Sequence, residues 1–293
     1  MGETVIQVSS LGKRIKGKTI LEEISFEINK GDCVALIGPN GAGKTVLMSC
    51  ILGDKKPSSG QVLIDGKAGK AKNKIAVLLQ ENTIPNSLKV SELIAFFQSI
   101  SDNPLTNQEV QELLQFKEDQ YQQFADKLSG GQRRLLAFVL CLIDKPKILF
   151  LDEPTAGMDT STRQRFWEIV NDLKKSGVTI LYSSHYIEEV EHTADRILDL
   201  HQGKLIRDTT PYAMRHEEKE KQVTLPSSFV SIVHGLEDIY EVTEKRDVIS
   251  FMTKDIEKVW QRLEKSGCGI SDIEIKNKTL LDSLFDSTRE DKA

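Results

Sequence analysis

The sequence predicts an α/β fold organised on a parallel core sheet, with an antiparallel β portion before it, a helical insertion within it and a small C-terminal α+β module behind it. Three observations carry the prediction. The segments "DCVALIG", "PKILFLDEP" and "VTILYSSH" contain apolar runs of the kind found in strands buried on both faces, and each adjoins a helical segment. Residues 90–142 change to apolar spacings of three and four, the period of helices. Beyond residue 209 the composition turns polar and charged before strand and helix patterns resume.

Taken in order, "TVIQVSSL" and "LEEISFEI" alternate as strands do, and "DCVALIG" follows the turn "NKGD". "GPNGAGKT" then gives way to "VLMSCILG", which is apolar on most faces like a buried helix and stops at Gly53. "QVLI" is a short strand between the turns "KPSSG" and "DGK", and "KIAVLLQ" is a buried strand ending at Gln80. The helices of the insertion, about 82–147, lie in "VSELIAFFQSI", "NQEVQELLQF" and "GGQRRLLAFVLCLI", and the first domain spans 1–208. Residues 209–226, bracketed by prolines, suit a linker, although "YAMRHEEKEK" equally fits a solvated helix. An accessory module at 227–293 is expected to hold a hairpin in "YEVTEKRDVISFMT" and a helix in "DIEKVWQRLEKSG", capped by Asp255 and ended by Gly267. Ile256, Val259, Trp260 and Leu263 share one face of that helix, and a strand "ISDIEIK" and a short helix "TLLDSLFD" complete the module.

Composition narrows the function. A chain of 293 residues is long enough for about two domains of roughly 150 residues each. A net charge of -5 provides no electrostatic footprint for nucleic acid, so no nucleic-acid partner is expected. The longest apolar run, "ILFL", is far short of the roughly 20 residues that cross a bilayer, and "MGETVIQVSS" lacks a basic segment followed by an apolar one. The expectation is a chain that neither spans a membrane nor is secreted. Cys33, Cys50, Cys141 and Cys268 are scattered, which signals neither a zinc site nor a disulfide framework.

The chemistry concentrates in two places. "GPNGAGKT" matches G-x-x-x-x-G-K-[ST] between a buried strand and a helix, as a phosphate-binding loop requires. Gly38, Gly41 and Gly43 let the backbone of Gly38, Pro39, Asn40, Gly41, Ala42 and Gly43 fold into a nest of N–H groups, to which the helix N-terminus adds its dipole. Lys44 reaches the β and γ phosphates, and Thr45 offers a hydroxyl to magnesium. "KILFLDEP" is an apolar strand ending in two carboxylates that point in different directions. Asp152 is suited to the Mg2+ shell, and Glu153 to facing the attacking water as general base.

In order, these residues and those around them resemble the nucleotide-binding subunit of an ABC transporter, a P-loop NTPase cassette, over roughly residues 4–208. The Walker A loop is 38–45, Gln80 is the Q-loop glutamine, "LSGGQ" is the signature at 128–132, "ILFLDE" is Walker B, "AGMD" is the D-loop and His185 is the switch histidine. The resemblance implies that two cassettes pack head to tail, so that Ser129, Gly130, Gly131 and Gln132 face ATP held by the other copy's Walker A loop. It further implies that Gln80 touches magnesium and water, that His185 bonds the γ phosphate and positions the attacking water, and that Asp159 shapes the dimer contact. Family members commonly place an aromatic residue before Walker A to stack on adenine. By register that position is Ile15, which leaves an apolar platform without an aromatic ring.

A transporter needs membrane spans, so the resemblance implies a separate transmembrane permease, a second copy of this chain or a related cassette, and a peripheral location on the cytoplasmic face of the cell membrane. "SELIAFF" is the candidate surface for the permease, with ordinary packing inside the helical lobe as the alternative. The C-terminal "KTLLDSLFD" resembles the ending of the bacterial drug, antibiotic or polysaccharide exporter branch. Two rivals are a soluble ABC protein acting on ribosomes or DNA, and a cassette without turnover that regulates. The single signature and acidic composition disfavour the first, and the intact Lys44, Asp152, Glu153 and His185 disfavour the second.

Overall fold

The computed structural model describes residues 2–68, 75–80, 84–85, 87–217 and 220–277. The chain divides into two compact units, Met1–Thr209 and Thr210–Ala293.

The first unit opens with a hairpin of β1 (Thr4–Ile15) and β2 (Lys18–Asn29). Its two-residue turn, Lys16 and Gly17, has positive φ at both positions, the geometry whose twist matches the flanking strands. β3 (Cys33–Ile37) is buried along its whole length and runs into the glycine loop and α1 (Lys44–Ile51). β4 (Ser59–Ile64) pairs antiparallel with β1 and carries β5 (Lys67–Ala68), completing a sheet of order β2-β1-β4-β5.

β6 (Ile75–Leu78) begins the second sheet, and a helical lobe follows: α2 (Val90–Ser99), α3 (Asn107–Leu114), α4 (Glu118–Gln122) and α5 (Gly130–Leu142). The chain then alternates through β7 (Ile148–Asp152), α6 (Thr160–Lys175), β8 (Thr179–Ser183), α7 (Ile187–Thr193), β9 (Arg196–His201) and β10 (Lys204–Thr209). The order is β10-β9-β3-β8-β7-β6, parallel from β9 to β6 and antiparallel at β10, so the predicted parallel sheet is present. One core joins the two sheets through Ile6, Ile24, Leu36, Phe150 and Leu198, with Leu47 of α1 among them. Each such side chain contributes about 1.5–3 kcal/mol by leaving water. On the lobe side Phe138 of α5 packs on Phe166 of α6, ring centroids 4.3 Å apart.

The second unit holds α8 (Pro211–Glu217), β11 (Lys221–Pro226), α9 (Val230–Val233), β12 (Ile239–Glu244), β13 (Val248–Thr253), α10 (Ile256–Lys265) and β14 (Glu274–Asn277). Its sheet is antiparallel, in the order β12-β13-β11-β14. Val259 and Leu263 of α10 pack against Val223, Leu225, Ile249 and Phe251, and the Asp255 side chain accepts from the Lys258 amide at 3.0 Å as the expected cap.

Two local expectations need correction. Of the two readings of 209–226 the helix is present, with Pro211 in the first turn of α8, where its missing N–H costs nothing, while the linker is replaced by β11, whose Val223 and Leu225 bury one face. β14 starts at Glu274, later than the "ISDIEIK" strand, and α4 is too short to leave a period in the sequence. The helix expected in "TLLDSLFD" lies outside the described residues.

Candidate functional site

The parallel register sets the site. Leu36 of β3 lies beside Ser183 of β8, and Ser183 lies beside Asp152 of β7, so three strands deliver their C-terminal ends to one edge. That edge is where open α/β sheets bind ligands. β6 joins it through Leu78 beside Leu151, placing Gln80 just beyond.

The 38–45 loop is shaped by its glycines. Gly38 has φ +141°, and a Cβ there would stand 2.0 Å from the Leu200 carbonyl oxygen, so no other residue fits. Lys44 is buried, and its ammonium doubles back over the loop to donate to the carbonyls of Gly38 at 2.7 Å and Pro39 at 3.3 Å. Burial pulls its pKa below the usual lysine value, while the carboxylates of Glu153 and Asp152 oppose the shift. Pro39, Asn40, Gly41 and Thr45 are exposed, and Ala42 is buried.

At the end of β7 the two acids diverge. Asp152 is buried, and its Oδ1 accepts from Ser183 Oγ at 2.5 Å. Glu153 adopts φ +44°, a left-handed backbone uncommon outside glycine, and its amide donates to Ser183 Oγ at 2.9 Å. Its Oε2 stands 2.8 Å from His185 Nδ1. The imidazole lies against the Tyr186 ring, over which Arg163 of α6 is stacked at 4.9 Å. Arg163 also meets Glu189, whose other oxygen accepts from Thr155. Lys44, Asp152, Glu153 and His185, far apart in the sequence, are thus brought together.

Ser129 caps α5 by accepting from the Gln132 amide at 3.2 Å, and Gln132 Oε1 accepts from the Ser129 amide at 3.1 Å. Gln132 therefore serves the capping box within its own chain. A Cβ on Gly130 would meet nothing, whereas one on Gly131 would lie 3.1 Å from Asp159 Oδ2. Asp159 in turn caps α6, accepting from the Thr162 amide at 3.0 Å and from the hydroxyls of Ser161 and Thr162, which holds its pKa far below the usual carboxylate range. Gly130, Gln80, Arg134, Ala156 and Gly157 line a cavity of about 250 Å³. Gln80 is exposed, and Ile15, 37% exposed, ends β1 at the hairpin turn.

Sequence reasoning missed Ser183 and Arg134, the second of which is buried at the root of the signature helix. The signal for Ser183 was a hydroxyl at the end of the apolar run before His185. Nothing in the helical period of "GGQRRLLAFVLCLI" distinguished Arg134 from the exposed arginine of an amphipathic helix.

Among the described residues, no helix is long and apolar enough to cross a membrane. Residues 21–156 match the ABC transporter family. The chain is 31% identical over 245 residues to the probable multidrug ABC transporter ATP-binding protein YbhF of Escherichia coli, covering 80% of this chain but only 42% of that protein. It is 34% identical over 213 residues to the linearmycin resistance ATP-binding protein LnrL of Bacillus subtilis, covering 69% of this chain and 68% of LnrL. Its fold is similar to a dimeric post-hydrolysis structure of the ATP-binding cassette MJ0796 bound to ADP and Pi. The TM-score is 0.62 at 21% identity, over 70% of this chain and 98% of that one.

Proposed function

Because the chain belongs to the ABC transporter family of ATP-binding proteins, we propose that it is the ATP-binding, ATP-hydrolysing subunit of an exporter whose transmembrane permease is a separate chain. The observation that carries the reading is the meeting of Lys44, Asp152, Glu153 and His185 at one sheet edge beside a glycine nest. The nest and Lys44 hold the phosphates. Thr45, Asp152 and Gln80 offer a hydroxyl, a carboxylate and an amide oxygen, the hard donor set that suits Mg2+ in company with phosphate oxygens and water. Held by these groups, Mg2+ would neutralise charge on the phosphates.

Glu153 takes the proton of the attacking water. His185, whose Nδ1 stands 2.8 Å from Glu153 Oε2, faces the γ phosphate and the attacking water and orients that water. Ile15 contributes an apolar platform for the base. Ser129, Gly130, Gly131 and Gln132 form the helix end that meets ATP on a second cassette, with Asp159 shaping the contact, so two ATP lie between two copies or a copy and a relative.

The lobe supplies the permease contact. Within "SELIAFF", Leu93 and Ile94 are buried in the lobe while Phe96 is 55% exposed, and Leu79 before the Q-loop glutamine is 49% exposed. Leu93 and Ile94 therefore serve the packing of the lobe, and Phe96 and Leu79 are the side chains left free to meet a permease. ATP-driven closure of the cassettes moves the permease and hydrolysis resets it, placing the chain on the cytoplasmic face of the membrane. Exporting function is supported by 33% identity over 221 residues to the Nod factor export ATP-binding protein I of Ralstonia nicotianae.

The test pairs two variants. Lys44→Ala abolishes nucleotide binding, and wild-type affinity in calorimetry would sink the phosphate-nest assignment. Glu153→Gln retains ATP and accumulates dimer in gel filtration, whereas undiminished hydrolysis removes it as base. Co-purification of a polytopic membrane protein in stoichiometric amount establishes the transporter, and ribosomal proteins in its place would reject it.

A further inference from the structure

Arg134 is a buried guanidinium with a role that the reaction scheme above leaves unassigned. It rises from the first turns of α5, and every acceptor it meets is a backbone carbonyl. Nε donates to Pro154 O at 3.0 Å, Nη2 to Asp152 O at 3.0 Å and Glu153 O at 3.4 Å, and Nη1 to Leu79 O and, at 3.0 Å, to Gln80 O. A guanidinium has five N–H groups in a fixed fork, and here five carbonyls receive them. The carbonyls belong to the exits of two neighbouring strands, β6 and β7, and converge on the one guanidinium. Burial lowers the guanidinium pKa, a shift opposed by Cys141 and Asp152, yet an arginine remains charged.

The grip falls on the strained residue. Glu153 holds a left-handed backbone that costs a non-glycine residue free energy unless its surroundings impose it. Ser183 fixes the amide side of that residue at 2.9 Å. Arg134 fixes the carbonyls before it, on it and after it. With both sides held, the Glu153 carboxylate projects to His185 at 2.8 Å. We infer that Arg134 is a positioning residue for hydrolysis: it clamps the backbone of 152–154 so that Glu153 keeps its left-handed turn, and ties that turn to the Q-loop backbone at Leu79 and Gln80. Lysine cannot replace the fork, since its single ammonium reaches fewer of the converging carbonyls at once.

This inference rests on the ATPase reading, and the experiment separates the two. Arg134→Lys and Arg134→Gln are made in the full chain, each alone and in a Glu153→Gln background, and kcat, KM for ATP and circular dichroism are measured. The expected result is a folded protein whose kcat falls at least about tenfold, because displacement of a catalytic group by about 1 Å costs on the order of a hundredfold. KM stays within about threefold, since the phosphate nest is untouched, and Lys retains more activity than Gln. In the Glu153→Gln background the same substitutions change the residual rate less than about twofold, since the carboxylate they position is gone. A kcat within about twofold of wild type in both variants overturns the proposal, as does an equal fold-loss in the Glu153→Gln background. Failure of both to fold also overturns it, assigning Arg134 to fold stability. If wild type shows no turnover, or Glu153→Gln keeps the wild-type rate, the ATPase assignment falls and takes this one with it. Normal wild-type turnover with silent Arg134 variants removes this one alone.

Discussion

Ser183→Ala tests how the end of β7 is held. The hydroxyl is fully buried and does two things at once: it donates to the Asp152 carboxylate at 2.5 Å and accepts from the Glu153 amide at 2.9 Å. A hydrogen bond to a charged group is worth about 1.5–3 kcal/mol, and a buried amide left without an acceptor costs about 1–3 kcal/mol. The gap left by one oxygen adds little, so the loss for the first unit is about 3–5 kcal/mol. For a unit of this size each kcal/mol corresponds to about 2–4 °C, and the melting point falls by about 6–20 °C. The assay is urea unfolding followed by fluorescence in a Trp260→Phe background, which leaves Trp167 as the single tryptophan and places the reporter in the first unit. A destabilisation under about 1 kcal/mol would refute the reasoning. Coupling supplies an independent check. In an Asp152→Asn background the alanine change should cost at least about 1 kcal/mol less, because the charged acceptor has already been removed.

Further outcomes follow from other parts of the molecule. Ile15→Tyr should tighten ATP binding by about five- to a hundredfold in calorimetry, the value of about 1–3 kcal/mol for stacking on a base, and unchanged affinity would remove Ile15 as the base platform. Burial pushes the Cys33 thiol up to about 12. A raised folded pKa means that its contribution to stability is complete below the ordinary thiol range and is lost as pH climbs toward 12. Unfolding free energy should therefore fall above pH 9 by about 1.4 kcal/mol per pH unit for this group, and Cys33→Ala should flatten the slope; an equal slope would contradict it. Leu263→Ala removes a fully buried side chain from the core under α10 and should cost the second unit about 2–5 kcal/mol, read from Trp260 fluorescence after Trp167→Phe; a cost under about 1 kcal/mol would place Leu263 outside that core.

Local chemistry was legible where it constrains residue types within one stretch. The 38–45 loop needs glycine wherever φ is positive, and wholly buried strands need apolar residues throughout, so both announced themselves. Ser183 showed only a hydroxyl after an apolar run, because its meaning is a register, Asp152 beside Ser183, between residues 31 positions apart. Arg134 was misleading because a charged residue on an amphipathic helix normally faces water, and only the convergence of carbonyls from two strand ends creates an interior place for it. The misread of 209–226 has a similar origin. β11 buries only Val223 and Leu225 on one face, too short an alternation to outweigh the surrounding charge. Gln132 shows the converse case, where a residue marked by its motif is also explained by the capping of its own helix.

The cap at the start of α5 bears on how the signature serine can be interrogated. A hydroxyl has two lone pairs and one hydrogen, and receiving the Gln132 amide consumes a single lone pair. In the proposed function the hydrogen stays available for an arriving anion, so that one atom would serve the helix and the ligand without competition between them. Alanine at Ser129 deletes both services together and cannot separate them. Aspartate can cap a helix as well as serine does, yet it turns a donor into a fixed negative charge facing the incoming phosphate. A chain altered in that way would keep its architecture and lose its welcome for the nucleotide, dividing the part of the signature that builds the protein from the part that recognises another molecule.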